Sequence, residues 1–243
     1  AASDVYKRQD QADPAMNRVW TDWFRRQGWA VLETNARDGK GVGQFSTVIR
    51  QALKEKLEQW KAKGLVGRPV RAMVVGVPNV GKSTFINQVA KRKSAKAGNR
   101  PGVTRGKQWV SVDAGLELLD TPGILWPKFE DETTGIHLAF TGAVKDEIMD
   151  LETLACHLIE LLARRYPQAL AERYKLEADP GLPGWELLEL CGKKRGFRIS
   201  GGEVDTERMA KVLLDEYRSG KLGNLTFETP QDLESREAAH GRD

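Results

Sequence analysis

Cysteine is scarce in this sequence, and long apolar runs are missing. The two cysteines, Cys156 and Cys191, lie far apart. They form neither a Cys-x-x-Cys pair nor a disulfide framework, so a reducing cytosol is the expected home. No uninterrupted apolar stretch is long enough to span a bilayer, and no signal-peptide pattern opens the chain. Internal repeats are lacking as well. Nothing suggests an acceptor site of the kind a small-molecule kinase needs, which leaves that class last among the candidates.

What is present describes a soluble globular protein. Of 243 residues, 40% are hydrophobic and 30% charged. That length supports one good-sized core and a smaller second unit. The net charge of +4 and a pI near 9.0 suit a polyanionic partner.

The residues Ala1 to Gln9 fit neither a strand nor an amphipathic helix and are expected to be a leader outside the fold. From Pro14, the spacing of Trp20, Trp23 and Phe24 predicts a helix ended by Gly28. A short strand, Ala30-Val31-Leu32, is expected before a Gly-rich turn at Asp38-Gly39-Lys40-Gly41. A helix is predicted from Val42 to Lys63, with Phe45, Val48, Ile49, Leu53 and Leu57 on one face. Val70 to Val75 reads as a strand buried on both faces in a parallel sheet. A helix over about Lys82–Lys93 follows. A strand pair is predicted at Gln108–Val112 and Leu116–Leu119. Alternating strands and helices imply an α/β domain with a mostly parallel sheet. Beyond about Thr141 the apolar spacing is helical throughout, around Leu151–Leu162, Leu187–Leu190 and Met209–Tyr217. A small all-helical domain over 141–230 is expected, with a disordered tail over 231–243.

The strongest chemical signal is Gly76-Val-Pro-Asn-Val-Gly81-Lys82-Ser83, which fits GxxxxGK[ST] at every fixed position, between an apolar strand and a helix. Glycines let the backbone wrap closely, so that its N–H groups point at phosphate oxygens. The helix adds its positive N-terminus. In this pattern Asn79, Val80, Gly81, Lys82, Ser83 and Thr84 cradle phosphates. Lys82 reaches the β- and γ-phosphates and the Ser83 hydroxyl ligates Mg²⁺. Asp120-Thr-Pro-Gly123 follows about forty residues later at a strand end, where Asp120 can hold Mg²⁺ and the Gly123 N–H can sense a γ-phosphate. Taken alone, this tetrapeptide is also a plain turn. Between the two lies Pro101-Gly-Val-Thr104, whose threonine suits a switch segment that completes the metal shell.

Together the three motifs resemble translation-factor-like GTPases. The segments GVPNVGKST, RPGVTRGKQWV and LLDTPGILWPKFED are closer still to the ribosome biogenesis GTPase A (YlqF/RbgA) family of bacteria. Members of that family are circularly permuted GTPases, in which the guanine-reading motifs precede the phosphate loop. The resemblance implies a P-loop NTPase domain over 10–140, shortened at its N-terminal side, followed by a helical domain that binds RNA. It implies GTP/GDP and Mg²⁺ as ligands, and the large ribosomal subunit or its RNA as partner. It also implies a cytoplasmic monomer that does not bind membranes.

In the same resemblance, Leu32-Glu-Thr-Asn35-Ala36 corresponds to the guanine-proximal loop, with the Ala36 N–H aimed at the base. Asp10 corresponds to the base-reading aspartate of the NKxD segment, although Lys7 and Arg8 replace its Asn and Lys. The C-terminal segments KRGFRISGGEVDTERMA and LGNLTFETP continue the likeness.

The place after DxxG, which holds a water-orienting glutamine in Ras-like enzymes, is Ile124. An aliphatic side chain cannot orient water by hydrogen bonding, so slow intrinsic GTP hydrolysis is expected. The catalytic set is then Lys82, Asn79 and Gly123. Asn79 either helps ligate K⁺ or only shapes the loop. The family's N-terminal catalytic histidine has no match in His137, His157 or His240, and His157 is expected to be structural. A nucleotide-dependent RNA-binding module without turnover is the alternative. Two basic clusters are candidates for RNA contact: Lys91, Arg92, Lys93, Lys96, Arg100, Arg105 and Lys107, and then Lys193, Lys194, Arg195 and Arg198 beside Phe197.

Overall fold

The structure, a computed structural model, describes residues 12–36, 38–91, 108–113, 115–121, 123, 131–144 and 150–240. The chain divides into two compact units, one within Asn17–Leu125 and one made by Ala1–Met16 with Trp126–Asp243.

Helix α1 (Pro14–Arg26) begins with proline, whose missing N–H costs nothing at a helix start, and ends on Arg25 and Arg26. Gly28, at φ 83°, supplies the left-handed stop. Trp23 packs edge-on against both Trp20 and Phe24, with Trp23 and Phe24 5.1 Å apart. The Thr21 hydroxyl donates to Glu33 at 2.9 Å, tying α1 to the segment that follows. That segment is not the expected strand. Residues 30–32 make no ladder, and Asn35 and Lys40 form an isolated bridge instead. A three-residue apolar run offers too few ladder bonds to hold a strand by itself.

The predicted helix over 42–63 is three pieces: a 3₁₀ turn (Val42–Gln44), α2 (Phe45–Ala52) and α3 (Lys54–Ala62), with the break at Leu53. Gly41 opens it at φ 74°, where an added Cβ would lie 2.1 Å from the Glu33 carbonyl oxygen. Phe45, Ile49, Leu53 and Leu57 pack, as their spacing requires, on a core of Val42, Val70, Ile86, Val89, Val112, Leu116 and Leu118.

The described sheet has three strands, β1 (Val70–Val74), β2 (Gln108–Asp113) and β3 (Leu116–Asp120), in the order β1-β3-β2. β1 runs parallel to β3, and β2 antiparallel to it. The parallel pair is the one joined across α4 (Lys82–Lys91), as a crossover connection demands. β1 departs from expectation in its burial. Val70 is buried, but Arg71 is exposed and Met73 is 61% exposed. Among the described residues the strand has a neighbour on one side only, and a continuous apolar run does not reveal how many neighbours a strand will have.

The second unit is helical: α5 (Glu132–Phe140), α6 (Leu151–Arg165), α7 (Pro167–Tyr174), α8 (Gly184–Arg195), α9 (Thr206–Arg218) and α10 (Pro230–His240). Asp131, Asp150 and Asp205 cap α5, α6 and α9 by accepting first-turn amide hydrogens. α6 is the central rod, with Leu154, Ala155, Leu158, Ile159, Leu162 and Ala163 all buried. α8 approaches it closely because Gly184 has no side chain; a Cβ there would sit 2.5 Å from the Cys156 carbonyl oxygen.

Two expectations change here. Helix α5, placed by sequence with the nucleotide domain, buries Ala139 and Phe140 in the helical core. The tail after Pro230 forms α10 as far as His240 rather than fraying. Its start is a reciprocal cap. The Thr229 amide donates to Asp232 at 2.8 Å and the Asp232 amide donates to the Thr229 hydroxyl at 3.2 Å, with Pro230 as the first helical residue. Arg236 then donates to Glu228 at 2.7 Å and to Asp131.

The helical core contains a buried carboxylate. Glu216 accepts from Tyr174 at 2.7 Å, from Arg173 Nε at 2.9 Å and from Arg195 at 3.0 Å. Burial opposes its charge, but the hydrogen bonds from Arg173 and Tyr174 and the nearby Arg195 outweigh that and bring its pKa from 4.5 to about 2. A depressed carboxylate stabilises the fold above the ordinary value and loses that contribution as pH falls toward 2. Glu216→Gln is expected to cost about 3 kcal/mol at pH 7, because two arginines lose their partner. Urea denaturation checks this, and the difference from the parent chain should narrow as pH drops from 5 to 3.

Candidate functional site

The register of the parallel pair sets the site. Val74 lies opposite Asp120, so β1 and β3 end at the same level. The loop leaving β1 and the Asp-Thr-Pro-Gly segment leaving β3 therefore emerge side by side, beyond the carboxyl ends of the strands. The Thr121 hydroxyl donates to the Val74 carbonyl at 2.6 Å and extends this pairing past the last ladder bond.

The loop has the backbone that its composition dictates. Asn79 sits at φ 61° and Gly81 at φ 96°. Asparagine and glycine are the residues that adopt the left-handed region most readily. α4 starts directly at Lys82, so the amide hydrogens of its first turn face the loop. The Lys82 ammonium folds back over the loop and donates to the carbonyls of Gly76 at 2.9 Å and Val77 at 2.8 Å. Its pKa is lowered, chiefly by desolvation, against an opposing pull from Asp120. An anion in the loop would reverse that desolvation cost.

The Ser83 hydroxyl donates to Asp120 Oδ2 at 3.1 Å. Asp120 is 5% exposed, a depth at which a carboxylate calls for positive or hydrogen-bonding company. Both groups are hard oxygen donors, the type that Mg²⁺ prefers. Gly123 closes the site from the other side: a Cβ on it would lie 2.5 Å from Pro78 Cα.

Asn79, Val80, Gly81, Lys82, Ser83, Thr84, Asp120 and Gly123 are thus assembled around one loop and one strand end. Asn35 and Ala36 occupy a separate turn, closed by Asn35 N–H to Lys40 at 2.9 Å, and the Asn35 carboxamide donates to Asp38 at 3.0 Å. Asp10, Thr104 and Ile124 lie outside the described residues, as do Arg92, Lys93, Lys96, Arg100, Arg105, Lys107 and the side chain of Lys91.

In the second basic cluster, Arg195 is committed to Glu216. Phe197 packs against the core with Arg208 stacked 4.3 Å above its ring. Lys194 and Arg198 are exposed. His137 pairs with Glu228 at 3.0 Å. His157 is not structural in the sense expected; it is exposed on α6 and lines a cavity of the helical unit. Sequence reasoning missed Thr121 and Pro78. Thr121 is signalled only by its place directly after the strand-ending aspartate.

A strand, a glycine-rich phosphate loop, a helix beginning on Lys-Ser, and a buried aspartate on the adjacent parallel strand define a P-loop NTPase. Residues 71–178 match the family described as 50S ribosome-binding GTPase. The chain is 43% identical over 229 residues to ribosome biogenesis GTPase A of Bacillus cereus, covering 94% of this chain and 77% of that one. Against the protein of the same name from Priestia megaterium the identity is 46% over 231 residues, covering 95% and 80%. Among solved structures it is similar to GDP-bound YlqF of Thermotoga maritima, with a TM-score of 0.62 and 29% identity, covering 92% of this chain and 81% of that one. The GNP-bound form gives 0.58 and 28%. The chain belongs to the ribosome biogenesis GTPase A family.

The tight approach of Gly123 to Pro78 yields a prediction. Gly123→Ala should displace the phosphate loop and weaken GDP binding by at least about tenfold, roughly 1.4 kcal/mol. The melting temperature of the helical unit should hold. Calorimetric GDP titration beside a thermal melt checks both.

Proposed function

We propose that this chain is a GTP-binding, GTP-hydrolysing assembly factor of the large ribosomal subunit, working as a cytoplasmic monomer whose grip on ribosomal RNA depends on the bound nucleotide. The convergence of Lys82, Ser83 and Asp120 on one phosphate loop carries this reading. Lys82 leaves the carbonyls of Gly76 and Val77 for the β- and γ-phosphates, exchanging neutral acceptors for charged ones. Ser83 and Asp120 would hold Mg²⁺, which would offset phosphate charge. Gly123 reports the γ-phosphate through its N–H. Thr104 would complete the shell of the Mg²⁺ ion, and Ala36 and Asp10 would read the guanine.

Hydrolysis is slow in the isolated chain, because Ile124 cannot orient water. Asn79 has two roles. Its left-handed backbone shapes the loop, and with K⁺ present its side chain would help ligate a cation that offsets developing charge there. Lys194 and Arg198 present free positive charge for RNA phosphates. Among the described residues no helix is long and apolar enough to cross a membrane. Ile124 also favours a second reading, a nucleotide-dependent RNA-binding module without turnover.

Lys82→Ala should lower GTP affinity by about 2 kcal/mol, roughly thirtyfold, as loss of a charged hydrogen-bonding partner implies. ATP should bind far more weakly than GTP. GTP turnover measured with and without large subunits, in K⁺ and in Na⁺, separates the two readings: acceleration by subunits and K⁺ supports the enzyme, and a flat rate supports the module.

A further inference from the structure

The helical unit contains a cavity that the nucleotide chemistry does not use. It occupies about 660 Å³ between α6, the start of α8 and the segment 203–206, a size ordinary for a specific binding pocket. Its walls carry Glu152, Glu160, Glu189 and Glu203 beside His157, with no lysine or arginine among the lining residues. This is unexpected in a chain of net charge +4.

Two of these carboxylates are held by neutral donors that leave their charge uncompensated. Glu160 accepts from the Gly184 amide at 2.7 Å and Glu152 from the Thr206 hydroxyl at 2.5 Å. Glu189 has an exchangeable partner in Lys193, at 2.7 Å across one helical turn. Glu203 is exposed. The local field registers on a neighbouring group: burial, and then the charges of Glu160, Glu152 and Asp150, raise the pKa of Cys156 on the cavity wall. At the mouth stands Trp185, 59% exposed, a large aromatic surface left in solvent at the first turn of α8.

The chemistry of these walls selects an occupant. A phosphate-bearing ligand such as RNA would meet four carboxylates, with the imidazole of His157 as the one basic side chain among the lining residues. A bound metal is disfavoured as well, because no group of three or more potential ligands among the described residues is arranged to hold one. What fits is a larger organic cation with a flat face. A guanidinium can lie on the indole of Trp185 while its N–H groups reach carboxylates in pairs, which an ammonium cannot match. The apolar part of the lining, Leu188 and Val204, suits the methylene stem of the same side chain.

We propose that this cavity is a docking site for an arginine-bearing segment of a protein partner, distinct from any RNA-binding surface and independent of the nucleotide bound by the other unit. The probe is a capped peptide of alternating glycine and arginine, titrated calorimetrically into the whole chain. A lysine version and a citrulline version serve as controls.

The arginine peptide should bind at one site, the lysine peptide about three- to fivefold more weakly, and the citrulline peptide not at all. Glu189→Gln with Glu203→Gln should weaken arginine-peptide binding about tenfold, as the loss of two exposed ion pairs implies. Trp185→Ala should weaken it about three- to fivefold. All three positions lie at the surface, and thermal melts establish that the variants remain folded. Equal binding by parent and variants would place the peptide elsewhere and overturn the proposal. So would spermine, Mg²⁺ or an RNA oligonucleotide outcompeting the peptide at this cavity. GTP affinity should be unchanged in every variant, so failure here is distinguishable from failure of the GTPase reading.

Discussion

The parallel pairing of β1 with β3 is the constraint on which the nucleotide site depends. Its register puts Val74 opposite Asp120, and the Thr121 hydroxyl continues the pairing onto the Val74 carbonyl. A slip of one residue would turn Asp120 to the other face of the sheet and remove it from Ser83. Buried Leu116 and Leu118 of β3, packed with Val70 and Ile86, hold that register through burial. The chemistry at the loop therefore rests on a hydrophobic strand pairing that touches no ligand.

The two units divide the electrostatic work. In the nucleotide unit, a lysine is held on backbone carbonyls at a partly desolvated loop, an arrangement suited to receiving an anion. In the helical unit, the buried carboxylate of Glu216 is paired internally, receiving Arg173, Arg195 and Tyr174. Its surface presents both signs, with Lys194 and Arg198 exposed and carboxylates gathered around Trp185. A factor that engages a particle made of RNA and protein has use for both.

Much of this was legible in the sequence, for identifiable reasons. The phosphate loop is readable because glycine, asparagine, lysine and serine are each required by backbone angle or charge at a fixed place. The β2–β3 pair and helices α6 and α9 are readable because their apolar spacing is strict. Helix α10 was also readable, from Thr229-Pro230-Gln231-Asp232, a cap with proline at the first helical position, but polar composition masked it. The break at Leu53 carries no glycine or proline and gives no signal. The one-sided burial of β1 was not legible, since neighbours in a sheet are set by the rest of the fold. The committed state of Arg195 was equally hidden, because its partner Glu216 is distant in the chain and indistinguishable there from a surface glutamate.

The central claim is that residues 76–83, with Asp120, hold a guanine nucleotide by its phosphates. A crystal structure of this chain with a non-hydrolysable GTP analogue and Mg²⁺ tests it most directly. The account predicts the β-phosphate within the loop amides, Lys82 Nζ moved off the carbonyls of Gly76 and Val77 onto phosphate oxygen, and the cation beside Ser83 and Asp120. Lys82 still bonded to those carbonyls, with the nucleotide bound elsewhere, would contradict it.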